Sequence, residues 1–344
     1  MRGELVRIIM QEQSSDIVKV SAPGRLHLGF LDLHGGLDRL FGSLGVGLAD
    51  ISTDIEARHA EKLLVSGPGA SRAHRYADEM LMHMNIQSGV RLHINRAIPE
   101  HAGLGSGTQM ALAVGEAINQ LFKLDLSLAS IARILDRGNR SGIGIGSFAS
   151  GGFIVDAGRS AETEVPPVIS RLHYPDSWRF VLVLDPNKQG VHGKKESQAF
   201  VELEKMDESL SAHLCRVLLM QLLPAVVEQN CFRFGEAVSE IQLAMGEYFS
   251  STQSGIYTSA DVGQALFQLK EQGASGIGQS SWGPTGFAIF ASETDAYQAV
   301  KKVRKNWRWK SELEIMICSA KNDKADIAVE TADNEDNIRV TKGA

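Results

Sequence analysis

Three glycines at alternate positions, Gly103, Gly105 and Gly107, interleave with Leu104, Ser106 and Thr108 and lead into Gln109. A strand-like run, Val90 to Ile94, precedes them, and a small-and-apolar helical pattern, Met110 to Leu121, follows. The stretch therefore predicts a strand, a glycine-rich turn and a helix start. Glycine lets the backbone bend and approach a ligand with no Cβ in the way. The unpaired N–H groups and the dipole of a helix start favour an anion, above all a phosphate, and Ser106 and Thr108 offer hydroxyls beside it. The same turn could also open a helix and bind nothing. It is not a Walker A loop, since no Gly-Lys-Ser/Thr follows, and it is not GxGxxG. A second group of reactive types is Arg25 and His27. The alternation from Arg25 to Phe30, after a tight turn at Ala22-Pro23-Gly24, puts both on one face of a strand, with Gly29 allowing close approach. An ordinary hairpin with polar surface residues would read the same way. A third group is the basic loop carrying Lys188, His192, Lys194 and Lys195, which could meet a ligand's negative charge as a lid or stand solvated. Glu196, next along, could help hold a metal or cap a helix.

The elements that must position these groups follow from the pattern. Strands are expected at 16–21, 51–57, 63–66, 153–156, 179–184, 287–291 and 313–318, and helices at 71–85, 127–135, 210–228, 232–249, 260–272 and 293–306. The glycine-rich stretch 33–50 reads as a flexible loop that could line a cleft. Residues 1–15 read as a polar lead-in and 321–344 as a frayed polar tail. Trp307 and Trp309 read as packing residues. The character becomes helical beyond a boundary near 185–205. With 344 residues, 43% apolar and 22% charged, the chain can hold one large or two ordinary domains with a real core. A net charge of −6, spread along the chain, gives no support to nucleic-acid binding. Cys215, Cys231 and Cys318 lie scattered among apolar residues, so a structural zinc is not expected and a reducing compartment is. The first ten residues lack a signal-type apolar stretch, and no apolar run approaches membrane-spanning length, so the expectation is a cytoplasmic enzyme away from the membrane.

Pro99-x-x-x-Gly103-Leu104-Gly105-Ser106 resembles the phosphate loop of the GHMP superfamily, which takes its name from galactokinase, homoserine kinase, mevalonate kinase and phosphomevalonate kinase. Ser21-Ala22-Pro23-Gly24-Arg25-Leu26-His27-Leu28-Gly29-Phe30 resembles the first motif of that superfamily, and Gly276 to Phe287 the third, a glycine-rich loop that closes over the ligand from the second domain. The longer forms Glu100-His101-Ala102-Gly103-Leu104-Gly105-Ser106-Gly107-Thr108-Gln109, His27-Leu28-Gly29-Phe30-Leu31-Asp32 and Gln279-Ser280-Ser281-Trp282-Gly283-Pro284-Thr285 resemble one non-kinase branch, the β-ribofuranosylaminobenzene 5′-phosphate synthase family. One departure from the kinases stands out: no acidic residue lies between Arg140 and Phe153, where a kinase carries the aspartate that acts on the substrate hydroxyl.

The resemblance implies an α+β, two-domain GHMP fold: a ribosomal protein S5 domain 2-like N-terminal domain at 16–190, a ferredoxin-like C-terminal domain at 191–320, and the polar tail at 321–344. It implies condensation of phosphoribosyl pyrophosphate with 4-aminobenzoate or 4-hydroxybenzoate, release of carbon dioxide and pyrophosphate, a place in tetrahydromethanopterin biosynthesis, a magnesium ion and a homodimer. Pyrophosphate would then lie on Gly103, Gly105, Ser106, Gly107, Thr108 and Gln109. Arg25 and His27 would contact the aromatic acid or the 5′-phosphate as the catalytic pair. Lys194, Lys195, Trp282, Gly283, Pro284 and Thr285 would bind substrate, and Asp32 and Glu196 are the candidate metal ligands. The alternative is an ATP-dependent small-molecule kinase of the same superfamily, which would need a carboxylate from Asp156 or Asp32.

Overall fold

The computed structural model describes residues 16–191, 193–253, 255–306, 312–331 and 340–342. The first half of the chain runs β1 (Ile17–Asp32), β2 (Phe41–Ala60), β3 (Leu64–Ser66), α1 (Ala70–His83), β4 (Gly89–Arg96), α2 (Ser106–Phe122), α3 (Leu128–Ile134), α4 (Ile143–Ala149), β5 (Phe153–Asp156) and β6 (Val168–Leu172). The second runs β7 (Arg179–Leu184), α5 (Gly193–Glu202), α6 (Glu208–Val217), a π-helical turn (Leu218–Leu222), α7 (Leu223–Val227), α8 (Cys231–Gln253), α9 (Ala260–Glu271), β8 (Gly276–Gln279), β9 (Gly286–Phe290), α10 (Glu293–Asn306), β10 (Glu314–Cys318), β11 (Asp326–Glu330) and β12 (Val340–Lys342). The lead-in 1–15, His192, Trp307 and Trp309 lie outside the described residues.

Two sheets result. The larger is ordered β12-β11-β1-β2-β4-β3, with β5 added on β2 and β6 on β5. α2 lies against it, buried on nearly every side. Its small residues explain the fit: a methyl group at Gly115 would stand 2.3 Å from Ile131 Cγ2 of α3. The second sheet is antiparallel, ordered β10-β7-β9-β8. Counted along the chain that is fourth, first, third, second, the order of a ferredoxin-like βαββαβ unit. α8 packs between the two sheets. Phe234, Val238, Ile241, Met245 and Phe249 recur at helical spacing and join Leu26 and Leu28 of β1 and Phe180 and Phe287 of the second sheet in one core. That shared core fixes the two halves against each other.

Four expectations change. Pro23-Gly24 is not a turn: β1 runs straight through it, with irregularities in its pairing to β2 at Pro23/Arg25 and His27/Gly29. A bulge tolerates proline and re-aims side chains, so an alternating pattern interrupted by Pro-Gly looks like a turn in sequence. Residues 41–50 are strand, not loop, and Gly45 and Gly47 serve close packing. The division at 190 moves back, because β7 is the first strand of the second sheet; an apolar run such as Phe180 to Leu184 does not announce its partner. Asp326–Glu330, expected in a frayed tail, pairs with β1 from Ile17↔Glu330 to Ser21↔Asp326, and Lys19 Nζ meets Glu330 Oε1 at 2.7 Å. In addition, the continuous helical run Glu208–Val227 is long and apolar enough to cross a membrane by length and composition. Leu214, Leu218 and Leu222 nevertheless turn one side of it into the shared core.

Gly45 shows how tightly the hairpin is packed. A methyl there would sit 2.3 Å from Ile143 Cγ2 and 2.4 Å from the Leu26 carbonyl oxygen. Gly45→Ala is therefore expected to destabilise by about 1–3 kcal/mol or more, read from the urea midpoint. An unchanged midpoint would mean that α4 does not press on β2 as described.

Candidate active site

β1 brings Arg25 and His27 beside the glycine-rich loop, and the β8–β9 loop closes against both. Ser280 makes the junction. Its hydroxyl accepts from the His27 backbone N–H at 3.0 Å and donates to the Gly103 carbonyl at 2.7 Å. Arg25 reaches the same loop twice, with its backbone N–H on the Leu104 carbonyl at 3.1 Å and Nη1 on the Gly103 carbonyl at 2.5 Å. Gly190 N–H donates to the His101 carbonyl at 3.0 Å, tying in the segment after β7. Gly103 has φ +81°, and a methyl there would meet the Ser280 carbonyl oxygen at 2.3 Å. Only glycine allows these two loops to touch.

The result is a cleft of about 730 Å³, with Gly105, Ser106, Gly107 and Thr108 on one wall and Trp282 and Gly283 on another. Gly105, at φ +85°, precedes α2 and supplies no side-chain cap, so the first-turn N–H groups face the cleft as an anion site requires. Gln109 corrects the expectation. Its N–H is spent on the Gly105 carbonyl, and its buried side chain donates to the Gly144 carbonyl at 2.8 Å. Pro284 and Thr285 sit behind the loop and do not line the cleft. Trp282 is buried, 4.3 Å from the Phe249 ring. Lys188 is exposed outside the cleft. Lys194 and Lys195 are in α5, with side chains outside the described residues.

The two candidate metal ligands are not brought together. Glu196 lines the cleft and meets Arg140 Nη2 at 2.7 Å. Asp32 instead accepts from the His34 and Gly35 N–H groups at 2.8 and 3.0 Å and lies outside the cleft. Among the described residues, no three His, Cys, Asp or Glu side chains cluster as a metal site. Asp156 is also committed: fully buried, it accepts from the N–H groups of Ser43, Gly142 and Gly158 and from the Ser43 hydroxyl.

The cleft's charge is set by arginine. Burial lowers Arg25 to about 10, Glu196 opposing, so it remains a cation at neutral pH. Burial, and then the Arg25 charge, push His27 down to about 3, so its imidazole is neutral; Nε2 is buried with no partner among the described residues. Arg72, Arg75, Arg137 and Arg140 also line the cleft. Their local sequence pattern does not mark them for it. Arg72 and Arg75 belong to α1, whose apolar stripe draws attention to its core face. Arg137 and Arg140 belong to the α3–α4 turn, which reads as glycine-rich punctuation.

This is the two-domain architecture of a GHMP protein with its anion loop. The family descriptions "GHMP kinases N terminal domain" and "GHMP kinases C terminal" match residues 71–152 and 222–308. L. major mevalonate kinase shares the fold with a TM-score of 0.66 at 14% identity, over 89% of this chain and 96% of that one. The β-ribofuranosylphenol 5′-phosphate synthase of Archaeoglobus fulgidus is 31% identical over 336 residues, 91% of this chain and 100% of the relative. That of Methanocaldococcus jannaschii is 31% identical over 298 residues, 78% and 88%. The chain belongs to the β-ribofuranosylphenol 5′-phosphate synthase family.

The His27 shift has a consequence for stability. Between about pH 6.5 and 3 the unfolded chain binds a proton at this residue and the folded chain does not, so acidification through that window favours unfolding. His27→Gln should therefore lose less stability than the parent between pH 7 and about pH 4.5, read from urea midpoints. Parallel losses would show that His27 is not held neutral.

Proposed function

We infer that this protein joins phosphoribosyl pyrophosphate to 4-aminobenzoate or 4-hydroxybenzoate with loss of carbon dioxide and pyrophosphate, as a transferase of tetrahydromethanopterin biosynthesis. The observation that carries this reading is the match to the synthase relatives along nearly the whole chain. The state of the carboxylates supports it against a kinase. The segment 140–153 has none. Asp156 lies under its own set of donors and Asp32 caps a turn, so neither is free to orient an acceptor hydroxyl.

The reaction asks different things of the cleft. The bond between ribose C1 and the pyrophosphate oxygen breaks, and the carboxyl-bearing ring carbon forms a bond to C1. The ring–carboxyl bond then breaks, its electron pair returns to the ring, and carbon dioxide departs. No proton need be removed from the ring, so no general base is demanded there. Negative charge grows on the pyrophosphate, and the first turn of α2 is suited to receive it. Arg25, still cationic, can hold a carboxylate or phosphate by two parallel hydrogen bonds. A neutral His27 beside Phe30, ring centroids 4.6 Å apart, suits a carboxylate that must leave as an uncharged molecule, because a second fixed cation would hold it back. Magnesium belongs to this reading. Such an ion would be held by substrate phosphate oxygens with a carboxylate, for which Glu196 stands in the cleft, and when bound it would offset the leaving group's charge. The reading also adopts, from the family resemblance, a cytoplasmic setting and a homodimer.

Pyrophosphate release is expected only when phosphoribosyl pyrophosphate, magnesium and one of the two benzoates are all present. Arg25→Ala should cut it by about 10²-fold or more. Full activity in that variant would remove Arg25 from the site. Release of ADP from ATP with a small alcohol, and none of pyrophosphate, would overturn the transferase reading.

A further inference from the structure

The first turn of α2 faces three side chains that belong to neither the glycine loop nor the other two motifs. A methyl group built on Gly107 would stand 3.8 Å from Arg137 Nη1, 3.9 Å from Arg72 Nη1 and 3.9 Å from the Tyr76 hydroxyl. Three donors thus surround the space off the second residue of the helix, and glycine leaves that space open. All three line the cleft.

Both arginines are held from behind. Arg72 is anchored by Nη2 on Glu100 Oε2 at 2.9 Å, while Nη1 points to the Ser106 hydroxyl at 3.4 Å. Arg137 follows the end of α3, its backbone N–H on the Ala132 carbonyl at 2.7 Å and its Nε on the Leu135 carbonyl at 2.7 Å. Its guanidinium carbon lies over the Tyr76 ring, 5.5 Å from the centroid. Tyr76 is only 7% exposed, yet its hydroxyl hydrogen-bonds no described residue and opens on the cleft. Its ring is packed in the core while its hydroxyl opens on the cleft beside two guanidinium groups at a helix start, a set of donors suited to an acceptor with several oxygens.

We propose that Tyr76, Arg72 and Arg137 form a clamp that receives the pyrophosphate end of the sugar substrate over the first turn of α2. The assignment rests on the transferase reading for its substrate, but the clamp is tested by binding alone. Arginine is suited to phosphoryl oxygens through its planar fork. Donors fixed by their far ends need no reordering as charge develops on the leaving group. The 5′-phosphate, a bystander in the reaction, is left to other parts of the cleft.

The probes are inorganic pyrophosphate and ribose 5-phosphate, titrated calorimetrically with magnesium present into the parent, Arg72→Met, Arg137→Met and Tyr76→Phe. Pyrophosphate affinity should fall about ten-fold or more in either arginine variant and about three-fold or more in Tyr76→Phe, with ribose 5-phosphate changed by less than about two-fold. Tyr76→Phe keeps the packed ring, and Arg137→Lys, which keeps the charge without the fork, should still weaken pyrophosphate. Unchanged pyrophosphate affinity in Tyr76→Phe and Arg137→Met would overturn the clamp, as would weakened ribose 5-phosphate with pyrophosphate untouched. The two readings fail separately. Weakened pyrophosphate binding without benzoate-dependent turnover in the parent would keep the clamp and discard the transferase. Parental turnover with unaltered binding in the variants would do the reverse.

Discussion

The cleft depends on one buried hydroxyl. Ser280 comes from the β8–β9 loop of the second domain, yet it accepts from β1 at His27 and donates to the glycine-rich loop at Gly103. With Arg25 also bonded to Gly103, three segments far apart in sequence meet at a single carbonyl. These bonds to Gly103 are partly buried at the cleft floor, and losing one would leave a donor or acceptor without its partner, a cost of about 1 kcal/mol. The glycine at 103 is the steric condition for the contact. The aromatic packing of Trp282 on Phe249 holds the β8–β9 loop down on it from the other side.

That junction sets the two domains around one cleft, and the side chains that line the cleft set its chemistry. The two-domain fold is common to this chain and L. major mevalonate kinase. Here Asp32 caps a turn, Glu196 pairs with Arg140, Asp156 lies under backbone donors and Asp136 accepts from the Asn139 side chain. The cleft is lined by Arg25, Arg72, Arg75, Arg137 and Arg140, and His27 stands among them as a neutral imidazole. A leaving pyrophosphate and a departing carbon dioxide are served by such a lining, and an acceptor hydroxyl is not.

Much of this was legible in the chain. The glycine loop, the helix after it, Arg25 with His27 and the Trp282-Gly283 loop are local patterns, and local patterns survive in sequence. What was not legible is pairing. Pro23-Gly24 looks like a turn because a bulge is defined by the opposite strand. β7 is an apolar run and β11 a short Ile-Ala-Val stretch between acidic residues, and the sheet each joins is chosen by a distant partner. Gln109 has the types of an anion ligand, but its side chain is taken by α4. Tyr76, Arg72 and Arg137 were hidden for another reason: on α1 the buried stripe and the cleft-facing edge share the same turns of helix, and Arg137 is aimed by the backbone geometry at the end of α3.

The central claim is that the carboxyl-bearing carbon of the ring becomes bonded to the ribose. The most direct measurement is carbon-13 NMR of the product made from 4-aminobenzoate or 4-hydroxybenzoate labelled at that ring carbon, with phosphoribosyl pyrophosphate labelled at C1. One-bond coupling between the two labels, with one carbon dioxide and one pyrophosphate formed per product, is the predicted result. A product whose C1 is joined to nitrogen, to oxygen or to another ring carbon, with the carboxyl group retained, would contradict the account.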